Sequence, residues 1–384
     1  MKVTQFLLGL FTAAILFVGC AADDTVDVTI DGGGGSGGFG IPLGGTLTED
    51  LTLTTGTDYL LETALIVPAG VTLTVEPGVV VRAITGSDVF IAVLQDGTIN
   101  AEGTAANPIV FTAATATPNP GDWGGLIILG RAPINSVVGG DVTSTSEIGG
   151  LPYGGSDAND SSGIIRYVRI EFSGGAADAA SENNGFSFYA VGNGTTIEFI
   201  QAFEGADDGV EFFGGTVDAS YVSVIGAQDD SVDWTEGYTG NLTNVYIEHR
   251  QIHDKGIEGD GFNTDIGNNS SPVFWSAPTI TNLTINGLGS TNENEAVRLR
   301  AGTRAIISNA FIQGFAEAFD LDDSETGAGV LAGETTITDI TFDDVTLNLK
   351  NDTEAPFEEA DVISGIGNGI GADYASWNSG WTRN

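Results

Sequence analysis

Phe199-Ile-Gln-Ala-Phe-Glu-Gly-Ala-Asp-Asp-Gly-Val-Glu-Phe212 and Tyr221-Val-Ser-Val-Ile-Gly-Ala-Gln-Asp-Asp-Ser-Val-Asp-Trp234 are one pattern written twice, 22 residues apart. Asp207-Asp208 falls on Asp229-Asp230, Val210 on Val232, and Glu211 on Asp233. A further step of 25 residues sets Tyr246-Ile247 and Asp254-Lys-Gly-Ile-Glu258 in the same frame. Downstream, Glu295-Ala-Val-Arg-Leu299 and Glu317-Ala-Phe-Asp-Leu321 are again 22 apart. Self-similarity at a fixed short period is the mark of a solenoid.

The local pattern decides which solenoid. Short alternating, β-branched runs such as Val71-Thr-Leu-Thr-Val75, Val79-Val-Val81, Phe90-Ile-Ala-Val-Leu94 and Pro108-Ile-Val-Phe-Thr112 are separated by Gly, Asn and Asp. That is the signature of strand and turn, and no long apolar stretch with a 3.6-residue period competes with it. Leucine-rich repeats share the period but need a Leu-x-x-Leu-x-Leu frame, which is missing; a β-sandwich would not hold paired acids in a 22-residue register. The reading is therefore an all-β chain forming a single right-handed parallel β-helix with coils of 22–25 residues. One coil cannot bury its own inward face, so coils stack at about 4.8 Å. About a dozen would make a rod on the order of 60 Å long at that spacing.

Outward from the repeats, the ends carry an address. Lys2 followed by the apolar run 6–18 reads as an export signal, too short to span a bilayer. The single cysteine, Cys20, follows Leu16-Phe17-Val18-Gly19, a stretch that resembles the lipobox of bacterial lipoproteins, and the resemblance implies that Cys20 is lipidated. With one cysteine no intramolecular disulfide is possible, and an unpaired cysteine in an exported chain needs a purpose. Ala21-Ala22-Asp23-Asp24 and the run Asp31-Gly-Gly-Gly-Gly-Ser-Gly-Gly-Phe39-Gly40 then form an acidic, flexible tether. The expected organisation is a signal over 1–19, a surface tether over 20–45, and the β-helix with a C-terminal cap over 46–384.

Twelve Lys and Arg against 52 Asp and Glu give a net charge of −40, which excludes nucleic acid as a partner. At 41% hydrophobic residues the chain still has ample material for a core, so the charge does not imply disorder.

The recurring acids Asp207, Asp208, Glu211, Asp229, Asp230, Asp233, Asp254 and Glu258 would lie over one another at one point of successive coils. Stacked like charges repel unless neutralised, and calcium, a hard cation taking six to eight oxygens, is the natural counter-ion. Gly259-Asp-Gly-Phe-Asn-Thr-Asp265 adds oxygen donors nearby. The competing reading is that Asp and Asn merely cap turns. No EF-hand or other calcium-loop frame is present.

His249-Arg-Gln-Ile-His253-Asp-Lys255 gathers both histidines and a lysine, and together with Trp234 it is the candidate glycan-contacting cluster. A polysaccharide lyase would use such a base, and a glycosidase would use two carboxylates at a defined separation. Neither is specified by spacing, so the sequence names no catalytic residue and favours a non-catalytic binding or structural module over an enzyme. Two histidines argue against a zinc site. Trp123 beside the apolar run 126–129 is expected in the core, and Trp377 and Trp381 are expected to cap the last coil.

Several blocks carry a family resemblance: Gly121-Asp-Trp-Gly-Gly-Leu-Ile-Ile-Leu-Gly-Arg-Ala-Pro-Ile-Asn135, Tyr153-Gly-Gly-Ser-Asp-Ala-Asn-Asp160, Arg166-Tyr-Val-Arg-Ile170, Val210-Glu-Phe-Phe-Gly-Gly-Thr-Val217, and the close from Gly371-Ala372 through Trp377 to Gly380-Trp-Thr382. They resemble the secreted β-helical lipoproteins of Bacteroidetes, and the residues after Cys20 resemble that group's surface-export signal. The resemblance implies a pectate-lyase-like β-helix, held by a lipid anchor on the outer face of the outer membrane, with a glycan or an envelope protein as partner. Some members carry a "multidrug transporter" label, which the lack of any membrane span in this sequence contradicts.

Overall fold

A computed structural model describes residues 40–135, 143–177, 181–264 and 272–384. Within these residues the chain is a single right-handed parallel β-helix in which all the long ladders are parallel. The signal, Cys20 and most of the tether lie outside the described residues, as does Asp265. No helix among the described residues is long and apolar enough to cross a membrane. The fold begins earlier than Thr46: Ile41–Thr46 is already a strand, paired with Asp58–Val67, because Leu43 points into the core.

From Gly163–Glu171 onward, each coil contributes one bent strand and one straight strand. The bend falls on a left-handed residue at the same place in seven successive coils: Tyr167, Phe199, Tyr221, Asn244, Asn282, Asn309 and Asp339, with φ between 49° and 61°. Asn and Asp accept this conformation more readily than other L-residues. The bulky ones are held there by stacking: Tyr167 on Phe199 at 4.3 Å and Phe199 on Tyr221 at 4.1 Å between ring centres. Further along, the Asn282 side chain donates to Asn244 at 2.8 Å and Asn309 to Asn282 at 2.7 Å, so one corner is lined first by rings and then by amides.

The register follows the repeat with one correction. Glu211 pairs with Asp233, Asp233 with Glu258, and Glu295 with Glu317, as the sequence repeat requires. Tyr246, however, pairs with Ser223, and it is Asn244 that stands over Tyr221 at the bend. The turn 249–256 is longer than the turn 226–231, and this surplus brings Glu258 back into line.

Inward side chains of the straight strands (Phe186, Phe188, Val210, Phe212, Val232, Trp234, Ile257) are fully buried. Trp234 fits because Gly259 of the next coil has no side chain; a Cβ there would lie 2.4 Å from the indole Cζ2.

The C-terminal segment does not close the end of the rod. Phe357 and Val362 pack into the core at the last coil, and residues 369–383 instead run back along the bent corner. Tyr374 stacks on Tyr246 at 3.8 Å, Trp377 meets Tyr221 at 5.5 Å, and Trp381 meets Tyr167 at 5.7 Å. The aromatic bend residues offered this tail a ready apolar stripe, and Trp381 is entirely buried on it.

Candidate cation and glycan site

The outward face of the straight strands changes character along the rod. At its start Ile127, Leu129, Tyr189 and Phe213 are apolar and covered by Ile134, Ile148 and Tyr153 from the excursion 130–162. The same face continues as Glu211, Asp233 and Glu258, one per coil. Beside them run the turns carrying Asp207-Asp208, Asp229-Asp230 and Asp254-Lys255. All of the predicted acids except Asp254 line one trough, and Asp254 approaches Asp229 and Asp230 at its edge. The trough has a volume of about 180 Å³.

Two of these acids also do what the competing reading expected. Asp208 Oδ1 accepts the backbone N–H of Asp230 at 2.9 Å, and Asp230 Oδ1 accepts that of Lys255 at 2.8 Å, each tying its turn to the next. The others are not used up in this way. Asp233 Oδ1 is buried with no hydrogen-bond partner among the described residues. Thr235 Oγ1, on a side chain 6% exposed that lines the same trough, also lacks one. Buried polar atoms are normally satisfied, so these two oxygens, beside Glu258 Oε1, which has only its ion pair with Lys255, are acceptors open to a cation.

Electrostatics say the same. Burial, and then the carboxylates of Glu182 and Asp229, push the Asp207 carboxyl up to about 8. Burial and neighbouring acids likewise raise Asp208, Glu211, Asp230 and Asp233 well above the ordinary carboxylate range, with Asp233 acting on Glu211 and Glu258 on Asp233. Like charges at this spacing cannot all ionise unless a cation joins them. Clusters such as Asp208, Glu211 and Asp233, or Asp230, Asp233 and Glu258, bring carboxylate oxygens within 4.8 Å of one another, a donor set suited to calcium.

Several trough residues escaped the sequence reading. Glu147 comes from the excursion and Glu182 from the loop before Phe186–Tyr189. Arg300, outside the matched motif, was missed as well, whereas Asp260, Asn263 and Thr264, which also line the trough, come from the stretch read as adding oxygen donors nearby. Arg300 forms ion pairs with Glu258 and, at 2.7 Å, with Asp260, and it separates the trough from a second pocket of about 400 Å³ lined by Phe262, Trp275, Asp322 and Glu325.

The candidate glycan cluster is not assembled as expected. Trp234 is wholly buried inside the coil, donating to Thr303 Oγ1 at 2.9 Å, and has no face for a sugar. His249 is 3% exposed and turns with His253 toward Glu293 rather than into the trough. Lys255 does reach the acidic rows, with Asp254 at 2.5 Å, Glu258 at 3.1 Å and Asp230 at 3.6 Å. Burial pulls its ammonium down, but Asp230, Glu258 and Asp254 outweigh that and hold it well above the ordinary lysine value. A lysine so firmly protonated cannot abstract a proton.

The family model of the pectate-lyase-like β-helix domain matches residues 45–382. Among solved structures, the catalytic unit of a thermostable GH87 α-1,3-glucanase from Streptomyces thermodiastaticus aligns at 11% identity with a TM-score of 0.30, covering 83% of this chain. This chain spans 65% of that structure's length, and a likeness of this degree carries no argument about activity. No curated protein matches.

Proposed function

The chain belongs to the pectate-lyase-like β-helix family, and from that premise we propose that it is a surface-anchored, non-catalytic module that binds acidic glycan through calcium held in the trough. The observation that carries this reading is the gathering of Glu211, Asp233 and Glu258 with the Asp207–Asp208 and Asp229–Asp230 turns around two oxygens, on Asp233 and Thr235, that have no hydrogen-bond partner among the described residues. A chain of net charge −40 repels a polyanion, and a cation with coordination positions left open can bridge the two. The Phe262 and Trp275 pocket adjoining the trough offers apolar surface on which sugar rings pack. Two of the expected bases are poorly placed for lyase chemistry, which favours binding: Lys255 is held in ion pairs, and His249 is buried and turned toward Glu293.

Calorimetric titration of chelator-treated protein with calcium, followed by a panel of uronate-bearing and neutral oligosaccharides, tests the reading. Calcium binding, with uronate binding seen only in its presence and no new reducing ends or unsaturated products, is expected. Failure to bind calcium removes the proposal. A hydrolase reading rests on Asp207, whose carboxyl near 8 would be a protonated acid at neutral pH, and the same assay for reducing ends decides it.

The address belongs to the same proposal. Cys20 would carry the lipid anchor and the residues after it would direct the protein to the outer face of the outer membrane. Cys20→Ala should abolish acyl labelling and release the protein from whole cells; unchanged labelling would refute the anchor.

A further inference from the structure

The two histidines dismissed as too few for a metal have a third partner that the fold supplies. His249 Nδ1 and His253 Nδ1 both lie 3.1 Å from the same oxygen, Oε2 of Glu293, which is 40 residues downstream of His253. One ligand atom from each of the three lies within 4.8 Å of the others. The side chains of His249 and Glu293 are 1% and 0% exposed, and that of His253 is 14% exposed, so the cluster is closed except on one side. It is also firmly built. Glu293 Oε1 accepts the Leu288 N–H at 2.7 Å, the His249 backbone N–H donates to Asn286 at 2.9 Å, and the two imidazoles stack at 4.7 Å.

His249 Nε2 is buried without a partner among the described residues, but it points away from the Nδ1 that faces Glu293, so the convergence of the two Nδ1 atoms on one carboxylate oxygen is what marks the site. The separations of 3.1 Å are close to the edge of a tetrahedron with metal–ligand bonds of about 2.0 Å, which is roughly 3.3 Å. Two imidazoles and one carboxylate form a donor set for a borderline transition ion and differ in kind from the all-oxygen trough.

We infer that His249, His253 and Glu293 bind a single zinc-class divalent ion, with its fourth position open on the His253 side. The ion would staple the turn 249–256 to the turn 287–294, where the step between straight strands lengthens to 40 residues from Ile257 to Val297. The cluster is independent of the calcium proposal, because none of its three side chains lines the trough.

The test uses the mature chain, stripped with chelator and then saturated with calcium so that the trough is occupied. Cobalt(II) should bind one to one with the strong visible absorption of a low-coordinate imidazole site, and zinc should displace it and raise the melting temperature. His253→Gln should abolish both the absorption and the zinc-linked rise while leaving the circular dichroism spectrum and calcium response unchanged. Glu293→Gln, which keeps an acceptor for Leu288, should weaken cobalt at least tenfold. No cobalt absorption and no zinc-dependent rise in the wild type would overturn the site. So would absorption that survives in His253→Gln, since the ion would then be held elsewhere.

Discussion

One outward column of the rod contains two opposite solutions to the same problem. Through Glu211, Asp233 and Glu258 it places acid over acid, whereas through Arg298, Asp320 and Lys350 it alternates sign. In the second stretch Arg298 meets Asp322 at 2.5 Å, and Lys350 meets Asp320 at 3.0 Å and Asp352 at 3.2 Å. The backbone, spacing and strand direction are shared, so the difference lies in side chains alone. Alternation balances the charge within the column, even though Asp320 Oδ1 is buried there without a hydrogen-bond partner among the described residues. Repetition of one sign leaves a deficit that has to be met from outside, apart from what Lys255 and Arg300 contribute at its edge. That contrast, more than the overall acidity, is what marks the trough as a site.

The largest expected effect comes from a fully buried acid whose two oxygens are already held by hydrogen bonds. Glu236 lies beneath the acidic stretch, fully buried, accepting from Tyr153 Oη at 2.8 Å and Asn263 Nδ2 at 3.2 Å, and burial pushes its carboxyl up to about 7. Its folded value is raised, so the stability it supports is complete below about pH 4.5 and is lost as pH rises through 7. A rise of this size corresponds to about 3 kcal/mol. Glu236→Gln, measured in saturating calcium, should therefore exceed the wild type by up to that amount at pH 8 and match it near pH 4. Parallel stability curves at all pH values would show that Glu236 ionises freely in the fold.

The next effect breaks the contrast itself. At a hundredfold excess over Kd, calcium should add about 2.7 kcal/mol to the wild type, a few degrees in melting temperature for a domain of this size. Asp233→Asn should lose at least tenfold in calcium affinity while melting higher than the wild type in chelator, because the central repulsion is gone. Asp233→Lys, which imposes the alternating pattern on the acidic stretch, should melt at one temperature with or without calcium. A calcium response that survives Asp233→Lys would place the ion away from this column.

The fold was legible because its cause is periodic. Inward residues recur with each coil, and Val210, Val232 and Ile257 declare that recurrence directly. The acids were legible for the same reason. The tail was not, since nothing in Trp377 or Trp381 says whether an aromatic pair covers an end or a side. That depends on Tyr167, Phe199 and Tyr221 standing in line at the bend, which requires the register first. Glu147 and Glu293 were hidden for a related reason. Both lie in excursions whose length breaks the repeat, and only the folded path brings them to their partners. Trp234 misled because period two along its strand alternates between trough and core, and one step from Asp233 reverses the side chain's direction.

The smallest effect tests the charge-balanced stretch. Asp320 is 3% exposed and is one of three carboxylates around Lys350, with Glu317 at 3.5 Å and Asp352 at 3.2 Å as the others. Asp320→Asn removes one charge but leaves the lysine two partners, and the amide oxygen still accepts from its ammonium. Because Lys350 is partly exposed, solvent screening holds the cost to about 1 kcal/mol. Calcium should neither deepen nor relieve that loss, since Lys350 and Arg298 already balance the charge of this part of the column. If instead Asp320→Asn shifted the calcium titration as strongly as Asp233→Asn, the two stretches would be acting as one electrostatic unit, and alternation of sign would not be what separates scaffold from site.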